Sequence, residues 1–163
     1  MIFILLAEGL VLGALLVLYC LIGIRHGAVG MVFLYHKEVQ DRAIELGLTT
    51  HETIKRRALI FKLGGIATYI AYVLLCVYLI NGTRGFLPGF LQMFSILFVC
   101  NLVDRLLVDG WWVGHTKTWI IPGTEEFMPY IGRNDKIKKW IFGTVGMAIY
   151  ALALAGIMTI FLP

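Results

Sequence analysis

Four long apolar stretches divide the chain, at about 2–24, 58–80, 86–107 and 140–162, and polar or mixed segments separate them. A membrane-spanning helix needs about 20 apolar residues to cross about 30 Å of hydrocarbon, and each stretch is long enough. Lipid offers no partner for backbone N–H and C=O groups, so such stretches must be helical. The pattern predicts an all-α integral membrane protein, a four-transmembrane-helix bundle forming a single membrane domain over residues 1–163.

Composition supports this class, because 60% of residues are hydrophobic, 15% are charged and the mean hydropathy is +0.86. A soluble domain of 163 residues needs a largely polar surface and could not bury so much apolar area. The first apolar stretch has no basic segment before it and no small-residue cleavage motif, so we expect a retained span and not a signal peptide. Cys20, Cys76 and Cys100 lie within apolar stretches, without the spacing of a metal site, and are interpreted as small apolar residues.

The loops differ sharply in basic charge. Only Arg84 lies in loop 2, residues 81–89, and the other thirteen of the 14 Lys and Arg residues lie in or beside loop 1 (about 25–57) and loop 3 (about 108–139). The positive-inside rule then predicts cytoplasmic loops 1 and 3, with both termini extracytoplasmic. No basic face interleaved with aromatic residues is present, so we expect no nucleic-acid partner.

Loop 1 is expected to be helical and not disordered. Apolar residues recur at helical spacing between Gly27 and Gly47, which predicts a helix that continues the first span or lies on the membrane surface. Gly47 suits the position after a helix end. Thr49 and Glu52 form a capping-box pattern, so the next helix should begin there and run into the second span.

Small residues spaced three or four apart occur in three spans, and they allow close helix contact in lipid. They are Gly9 and Gly13, Gly23 and Gly27, Ala67 and Ala71, and Ala148, Ala151 and Ala155. Some of these faces should close the bundle, and one could join copies of the chain into an oligomer.

Charged residues at membrane depth are functional hypotheses, because burying charge in lipid is costly. Possible partners of Glu8 at similar depth are Arg84, Asn81, Tyr78 and Thr159. Glu8 is interpreted as an outer-interface carboxylate anchored to Arg84, with an outward-facing ion or proton site as the alternative. Arg25 and His26 end the first span. They are either anchors at the inner interface or buried groups that need an acidic partner such as Asp104.

The end of the third span gives the main candidate site. On an α-helix with about 3.6 residues per turn, Asn101, Asp104, Trp111 and His115 share one face. His115 could act as a general acid or base, oriented by Asp109, Glu125 or Glu126 folded back over the bundle. The proposed catalytic residues are therefore Asp104, His115 and Asp109, and the proposed substrate-binding residues are Arg25, His26, Asn101, Arg105, Trp111, Trp112 and Glu125.

Ordinary roles compete with these assignments. Trp111, Trp112 and Trp119 fit an aromatic belt at the membrane interface. Thr124 could cap a helical turn in which Glu125 and Glu126 interact with the helix dipole. No motif identifies a cofactor, and no residue spacing predicts a metal site.

The runs KEVQDRAIELGLTT, LVDRLLVDGWW and HTKTWIIPGTEEFMPYI resemble a set of small bacterial four-span integral membrane proteins. The resemblance covers most of the chain. It implies the four-span topology in a bacterial cytoplasmic membrane and no particular activity.

Two functional hypotheses follow. The first is a membrane-embedded enzyme with a cytoplasm-facing polar site that acts on a lipid or lipophilic substrate. The alternative is a non-catalytic assembly subunit, or a small transporter or channel component, that forms a homo-oligomer or binds a membrane partner through its GxxxG faces.

Overall fold

The computed structural model describes residues 1–162, and helices dominate that range, with no strand in it. The helices are α1 (Ile2–Ile24), α2 (Lys37–Glu45), α3 (His51–Ile80), α4 (Phe86–His115) and α5 (Arg133–Phe161). All but α2 are long and apolar enough to cross a membrane. The predicted all-α, four-helix membrane bundle is therefore confirmed, and the chain is a multi-pass membrane protein.

Three of the four long helices extend beyond the apolar stretches that predicted them. At one end of the bundle, which we call the basic end, α1 and α4 finish and α3 and α5 begin. There α3, α4 and α5 continue into charged sequence. Helix α3 begins one residue later than the capping-box prediction, since Thr50 and not Thr49 is its N-cap and the Thr50 side chain accepts a hydrogen bond from the Thr53 N–H at 3.2 Å.

Helix α4 is the centre of the bundle and packs between α1 and α5. A Cβ atom on Gly9 would lie 2.5 Å from Val99 Cβ, and one on Gly13 would lie 2.8 Å from a Val103 methyl group. On the opposite side of α4, Ala151 and Ala155 of α5 are fully buried. Small residues therefore permit close backbone contact on both sides of α4, and the Gly9–Gly13 face serves the fold within one chain.

Helix α3 lies further from its neighbours, and tyrosines bridge the gaps. The Tyr69 hydroxyl is 3.5 Å from Cys100 Sγ on α4, and the Tyr72 hydroxyl donates to the Glu8 carbonyl on α1 at 2.9 Å. From α5, the Tyr150 hydroxyl donates to the Ile66 carbonyl at 3.3 Å. Long side chains hold α3 to the bundle without close backbone contact, so space remains along its flank.

The segment after α1 does not continue the helix, contrary to one of the two predicted arrangements. Gly27 has φ of 98°, which reverses the chain, and residues Ala28–Leu34 form a 3₁₀ segment. This segment folds back under the end of α1, where a Cβ on Gly30 would lie 2.1 Å from the Gly23 carbonyl oxygen. Burial of Met31 and Val32 against α1 and α3 favours this turn over a continuous helix.

Helix α2 ends as its sequence predicts. Gly47 has φ of 70°, its N–H donates to the Ile44 carbonyl, and the Leu48 N–H donates to the Ala43 carbonyl. These two bonds are the Schellman motif, which satisfies carbonyls at a helix end. The predicted helical loop between the first two spans is thus present as the 3₁₀ segment followed by α2.

The connection between α4 and α5 packs onto the same end of the bundle. Trp119, Ile121 and Tyr130 from this connection join Tyr35, Val39 and Ala43 in one buried core, together with Cys20 and Ile24 of α1. Both long connections therefore form a compact cap over the basic end.

At the other end, the expected pairing of Glu8 with Arg84 is wrong. The Asn81 side chain donates to both carboxylate oxygens of Glu8, at 3.2 and 3.3 Å. Arg84 instead donates to the backbone carbonyls of Tyr78 and Thr83. The carbonyls at the end of α3 are orphan acceptors, and they attract the guanidinium more directly than a side chain on another helix.

Candidate functional site: a polar cavity at the basic end

Helix α4 widens where it enters the basic end, and this change of geometry builds the candidate site. Residues Asp104–Trp112 are π-helical, and the Val113 N–H donates to the Val108 carbonyl five residues earlier. A π turn bonds residues five apart, so side chains at that spacing approach a common face. Asp104 and Asp109 therefore lie together, whereas an α-helix would separate them by about 140°.

Arg105 lies between these two carboxylates. Its two terminal nitrogens form ion pairs with Asp104 Oδ2 and with Asp109 Oδ2. Lys139 of α5 adds a second cation, with its Nζ 3.0 Å from Asp109 Oδ1. Asp109 and Arg105 are largely buried, at 10% and 14% side-chain exposure. The cluster has two acids and two bases, so its formal charges cancel, and it ties α4 to α5.

Aromatic residues from the cap cover this cluster. The Tyr35 hydroxyl donates to the Trp119 carbonyl at 2.6 Å, and the rings of Tyr35 and Tyr130 meet edge to face at 5.0 Å. The Tyr130 hydroxyl lies 2.8 Å from Thr124 Oγ1. Burial, with a smaller contribution from Tyr130, raises the pKa of Tyr35 above its ordinary value, so Tyr35 stays a hydrogen-bond donor.

Between the cluster and this aromatic cover lies a cavity of about 250 Å³, which we call the central cavity. Typical pockets for drug-sized ligands measure about 300–1,000 Å³, so this one suits a head group with a short part of a chain. Its polar wall is the charged cluster. The remainder is mainly apolar or aromatic: Leu16, Cys20, Leu34, Tyr35, Phe61, Val108, Val113, Trp119, Tyr130 and Ile131.

Two residues of this wall each have a hydrogen-bond donor without a partner. Trp119 Nε1 and Arg105 Nε are buried and have no hydrogen-bond partner within residues 1–162. Trp119 is only 3% exposed, so its N–H is shielded from bulk solvent. A buried donor without a partner costs about 1–3 kcal/mol, and a ligand oxygen that accepts from it removes that cost. Both atoms are donors on residues that line the cavity, so an acceptor is the ligand group that either donor could satisfy after a shift of its side chain.

The structure brings together only part of the predicted site. Asp104, Asp109 and Arg105 line the central cavity. Asn101 is buried above it, with its Oδ1 2.5 Å from where a Cβ on Gly143 would stand, and is not part of the wall. Trp112 supports the wall from behind, because its ring packs edge to face on Trp119 at 5.2 Å.

Other predicted residues lie outside the cavity. His115 is exposed, and its Nδ1 lies 3.1 Å from the Gly110 carbonyl. Trp111 is exposed, as expected of a belt residue, and Glu125 is exposed and accepts a hydrogen bond from the Gly123 N–H. Arg25 and His26 are exposed at the end of α1, and Asp104 pairs with Arg105, so of the two alternatives for Arg25 the buried pairing with Asp104 is wrong.

Sequence reasoning missed Tyr35, Trp119, Tyr130 and Lys139. Lys139 directly precedes the fourth apolar stretch, a position that suggests an interface anchor, and only the early start of α5 at Arg133 turns it towards Asp109. Trp119 was assigned to an interface belt, although the cap buries it. Tyr35 gave one usable signal, since it ends the apolar run GAVGMVFLY, which is unusual for a solvated loop.

Comparison of the chain with protein-family models, with curated proteins and with solved structures gave no match.

Proposed function

We propose that this membrane protein binds a lipophilic compound in the central cavity and recognises it through a carbonyl or carboxylate oxygen on its head group. The observation that carries the proposal is the pair of buried, unpartnered donors in the wall, Trp119 Nε1 and Arg105 Nε. An acceptor group on the ligand that reached either donor would satisfy it and would be held away from water.

Two further features support a lipophilic ligand. The wall is mostly apolar away from the charged cluster, so an uncharged chain is favoured there. Phe61, a side chain on α3, lines the central cavity and also a lateral cavity along the flank of α3. Displacement of one ring would therefore connect the site with the surface that faces lipid.

This proposal keeps the lipophilic ligand of the enzyme hypothesis and leaves out its catalytic step. Acid–base catalysis by Asp104 with His115 requires the imidazole to reach the cavity, and the His115 ring contacts the Gly110 carbonyl instead. Asp104 and Asp109 both accept hydrogen bonds from Arg105 and are components of an ion cluster. Their role in this proposal is to hold Arg105 in the cavity wall.

We also propose that the protein resides in a bacterial cytoplasmic membrane with the basic end on the cytoplasmic side. The positive-inside rule supports this orientation, because only Arg84 among the 14 Lys and Arg residues lies at the opposite end. Exposed single cysteines at His51→Cys and Arg84→Cys test it with a membrane-impermeant maleimide on intact cells. Labelling at position 84 and protection at 51 are expected, and the reverse pattern would refute the orientation.

The binding proposal is tested with three ten- or eleven-carbon probes that share a chain and differ in head group: decanoate, 2-undecanone and decylamine. Native mass spectrometry of the detergent-solubilised protein measures the bound fraction. Decanoate and 2-undecanone should bind, and decylamine should bind at least about tenfold more weakly, because it cannot accept from Arg105.

Trp119→Phe is the matched structural test, since it keeps the aromatic ring and removes the N–H. Its affinity for 2-undecanone should fall about three- to tenfold, the equivalent of one hydrogen bond. Trp111→Phe is the control, because Trp111 is exposed and outside the cavity. Equal binding of all three probes, or equal loss in both variants, would contradict the proposal.

A second candidate function is assembly with another membrane chain or with a second copy. The observation that favours it is on α3, where Ala67 and Ala71 are exposed and one turn apart on the same face of the helix. In contrast, Gly9 and Gly13 are already used against α4. Crosslinking in membranes with Ala67→Cys, and Ala153→Cys on the exposed side of α5 as control, should give a specific dimer only for the first variant if this candidate is correct.

A further inference from the structure

A second cavity system runs along the flank of α3, and it differs chemically from the central cavity. One part has a volume of about 580 Å³ and lies at the basic end between α1, the 3₁₀ segment and α3. A smaller part of about 190 Å³ continues between α1 and α3 towards the middle of the bundle. Tyr19 and Phe61 line both parts, so we treat them as one feature, the lateral groove.

The lateral groove is basic and contains no acid. Its ionisable side chains other than Tyr19 and Tyr69 are His26, Arg57 and Lys62, and neither part of its lining includes Asp or Glu. Arg57 makes one hydrogen bond, from a terminal nitrogen to the Val29 carbonyl at 3.3 Å. Within residues 1–162 neither Arg57 nor Lys62 forms a salt bridge, so their charges are uncompensated by the protein.

The remainder of the groove is mainly apolar, with Thr68 and the two tyrosines as its uncharged polar residues, and its length matches one leaflet of a bilayer. From Arg57 to Tyr69 is twelve residues of helix, or about 18 Å at 1.5 Å per residue. Half of a bilayer's hydrocarbon core is about 15 Å thick. The deeper part is lined by Leu15, Leu16, Gly65 and Ile66, and Gly65 leaves open space where a side chain would stand.

We propose that the lateral groove binds one anionic phospholipid, with its phosphate group held by Arg57, Lys62 and His26 and one acyl chain along α1 and α3. The charge pattern selects this occupant over a zwitterionic or neutral lipid, because cations without acidic neighbours attract net negative charge. Lys62 lies deeper than Arg57, and its flexible side chain can extend towards the head-group level. The proposal does not depend on the ligand of the central cavity.

The test uses the full-length protein and two phospholipid probes with identical acyl chains, phosphatidylglycerol and phosphatidylcholine. Native mass spectrometry from mixed micelles measures how much of each lipid stays bound. Phosphatidylglycerol should be retained at least about tenfold more than phosphatidylcholine, since each basic side chain near an anionic surface contributes roughly fivefold.

Two double variants separate a built site from general surface charge. Arg57→Gln with Lys62→Gln removes the groove cations and should abolish the preference for phosphatidylglycerol. Lys55→Gln with Arg56→Gln makes the same charge change on exposed neighbours that do not line the groove, and it should keep most of the preference. Equal loss in both doubles would overturn the proposal in favour of diffuse electrostatic attraction.

A steric variant tests whether an acyl chain lies in the deeper part of the groove. This test remains valid even if the charge variants fold poorly. Gly65→Leu fills the deeper part of the groove, and Gly156→Leu on α5 is its control, because a Cβ at either position meets no atom within 4 Å. Gly65→Leu should reduce phosphatidylglycerol retention at least about fivefold with an unchanged unfolding temperature. Unchanged retention, or displacement of the lipid by millimolar glycerol phosphate, would show that no chain lies in the groove.

Discussion

The central cavity and the lateral groove lie on either side of Phe61 and use basic residues in opposite ways. In the central cavity Arg105 and Lys139 contact carboxylates, so the charges cancel and hold α4 and α5 together. In the lateral groove Arg57 and Lys62 have no acidic neighbour in the lining. Basic residues at one end of a bundle can thus be structural or available to a ligand, and the position of the nearest carboxylate decides which.

The largest expected effect follows from breaking the charge balance of the central cavity. Asp109→Ala removes one of the two carboxylates that pair with Arg105 and the one that pairs with Lys139, which leaves the largely buried cluster with a net positive charge and should lower the free energy of unfolding by about 3 kcal/mol. Arg57→Ala in the lateral groove should cost less than about 1 kcal/mol, because it removes one exposed hydrogen bond. Unfolding of the detergent-solubilised variants, followed by circular dichroism, measures both.

Glu38→Ala is the control for loss of a carboxylate, since Glu38 is exposed on α2. It should change the unfolding free energy by less than about 0.5 kcal/mol. If Asp109→Ala behaved like Glu38→Ala, the ion cluster would not stabilise the fold and the contrast between the two regions would fail.

A second prediction compares the two sides of α1, of which one packs closely against α4 and the other borders the lateral groove. Gly13→Ala would place a methyl group 2.8 Å from Val103 on α4, so the helices must separate, at a cost of about 1–3 kcal/mol. Gly65→Ala on α3 meets no atom within 4 Å and should be neutral or stabilise by up to about 1 kcal/mol through helix propensity. Equal destabilisation by both would show that α3 packs as tightly as α4, and the lateral groove would not exist in the membrane.

A third prediction compares two tyrosines. Tyr35→Phe removes the hydrogen bond to the buried Trp119 carbonyl and should cost about 1–2 kcal/mol. Tyr19→Phe in the lateral groove should cost almost nothing, because the Tyr19 hydroxyl has no hydrogen bond within residues 1–162. Thermal unfolding temperatures measure the pair, and a larger loss for Tyr19→Phe would reverse the assignment of buried and lipid-facing walls.

The raised pKa of Tyr35 also predicts how the stability of the folded protein changes with pH. Because its pKa is raised in the folded state, the folded protein keeps this proton at a pH where the unfolded chain has lost it. The contribution of Tyr35 to the free energy of unfolding is therefore fully present below the ordinary tyrosine pKa of about 10, and it is lost as pH rises above that value. Between pH 9 and 11 the unfolding temperature of the wild-type protein should fall more steeply than that of Tyr35→Phe.

The amino-acid sequence predicted the membrane spans well, because apolar length and helical backbone satisfaction in lipid are local properties. It also predicted that α2 ends at Gly47, because the backbone conformation that ends a helix at glycine is a local property too. The site was harder, since a π turn in α4 changes which residues share a face. Projection at α-helical spacing joined Asp104 with His115, whereas the widened helix joins Asp104 with Asp109.

The remaining errors come from tertiary contacts that no local pattern encodes. Lys139 and Tyr35 are 30 and 84 residues from the partners that they meet at the cavity. Trp119 has the composition signal of an interface residue and is buried because the cap folds over it. Likewise Glu8 pairs with Asn81 because Arg84 satisfies the end of α3 first.

The smallest expected effect is that of salt on binding, and it separates the two regions without any substitution. Attraction of phosphatidylglycerol to the uncompensated cations of the lateral groove is screened as the Debye length falls from about 10 Å at 0.1 M to about 3 Å at 1 M. The preference for phosphatidylglycerol over phosphatidylcholine should therefore drop several-fold over this range. Binding of neutral 2-undecanone in the central cavity rests on buried hydrogen bonds and should change less than twofold. Retention on the immobilised protein measures both ligands. Equal salt dependence would mean that net charge contributes to binding in the central cavity as well.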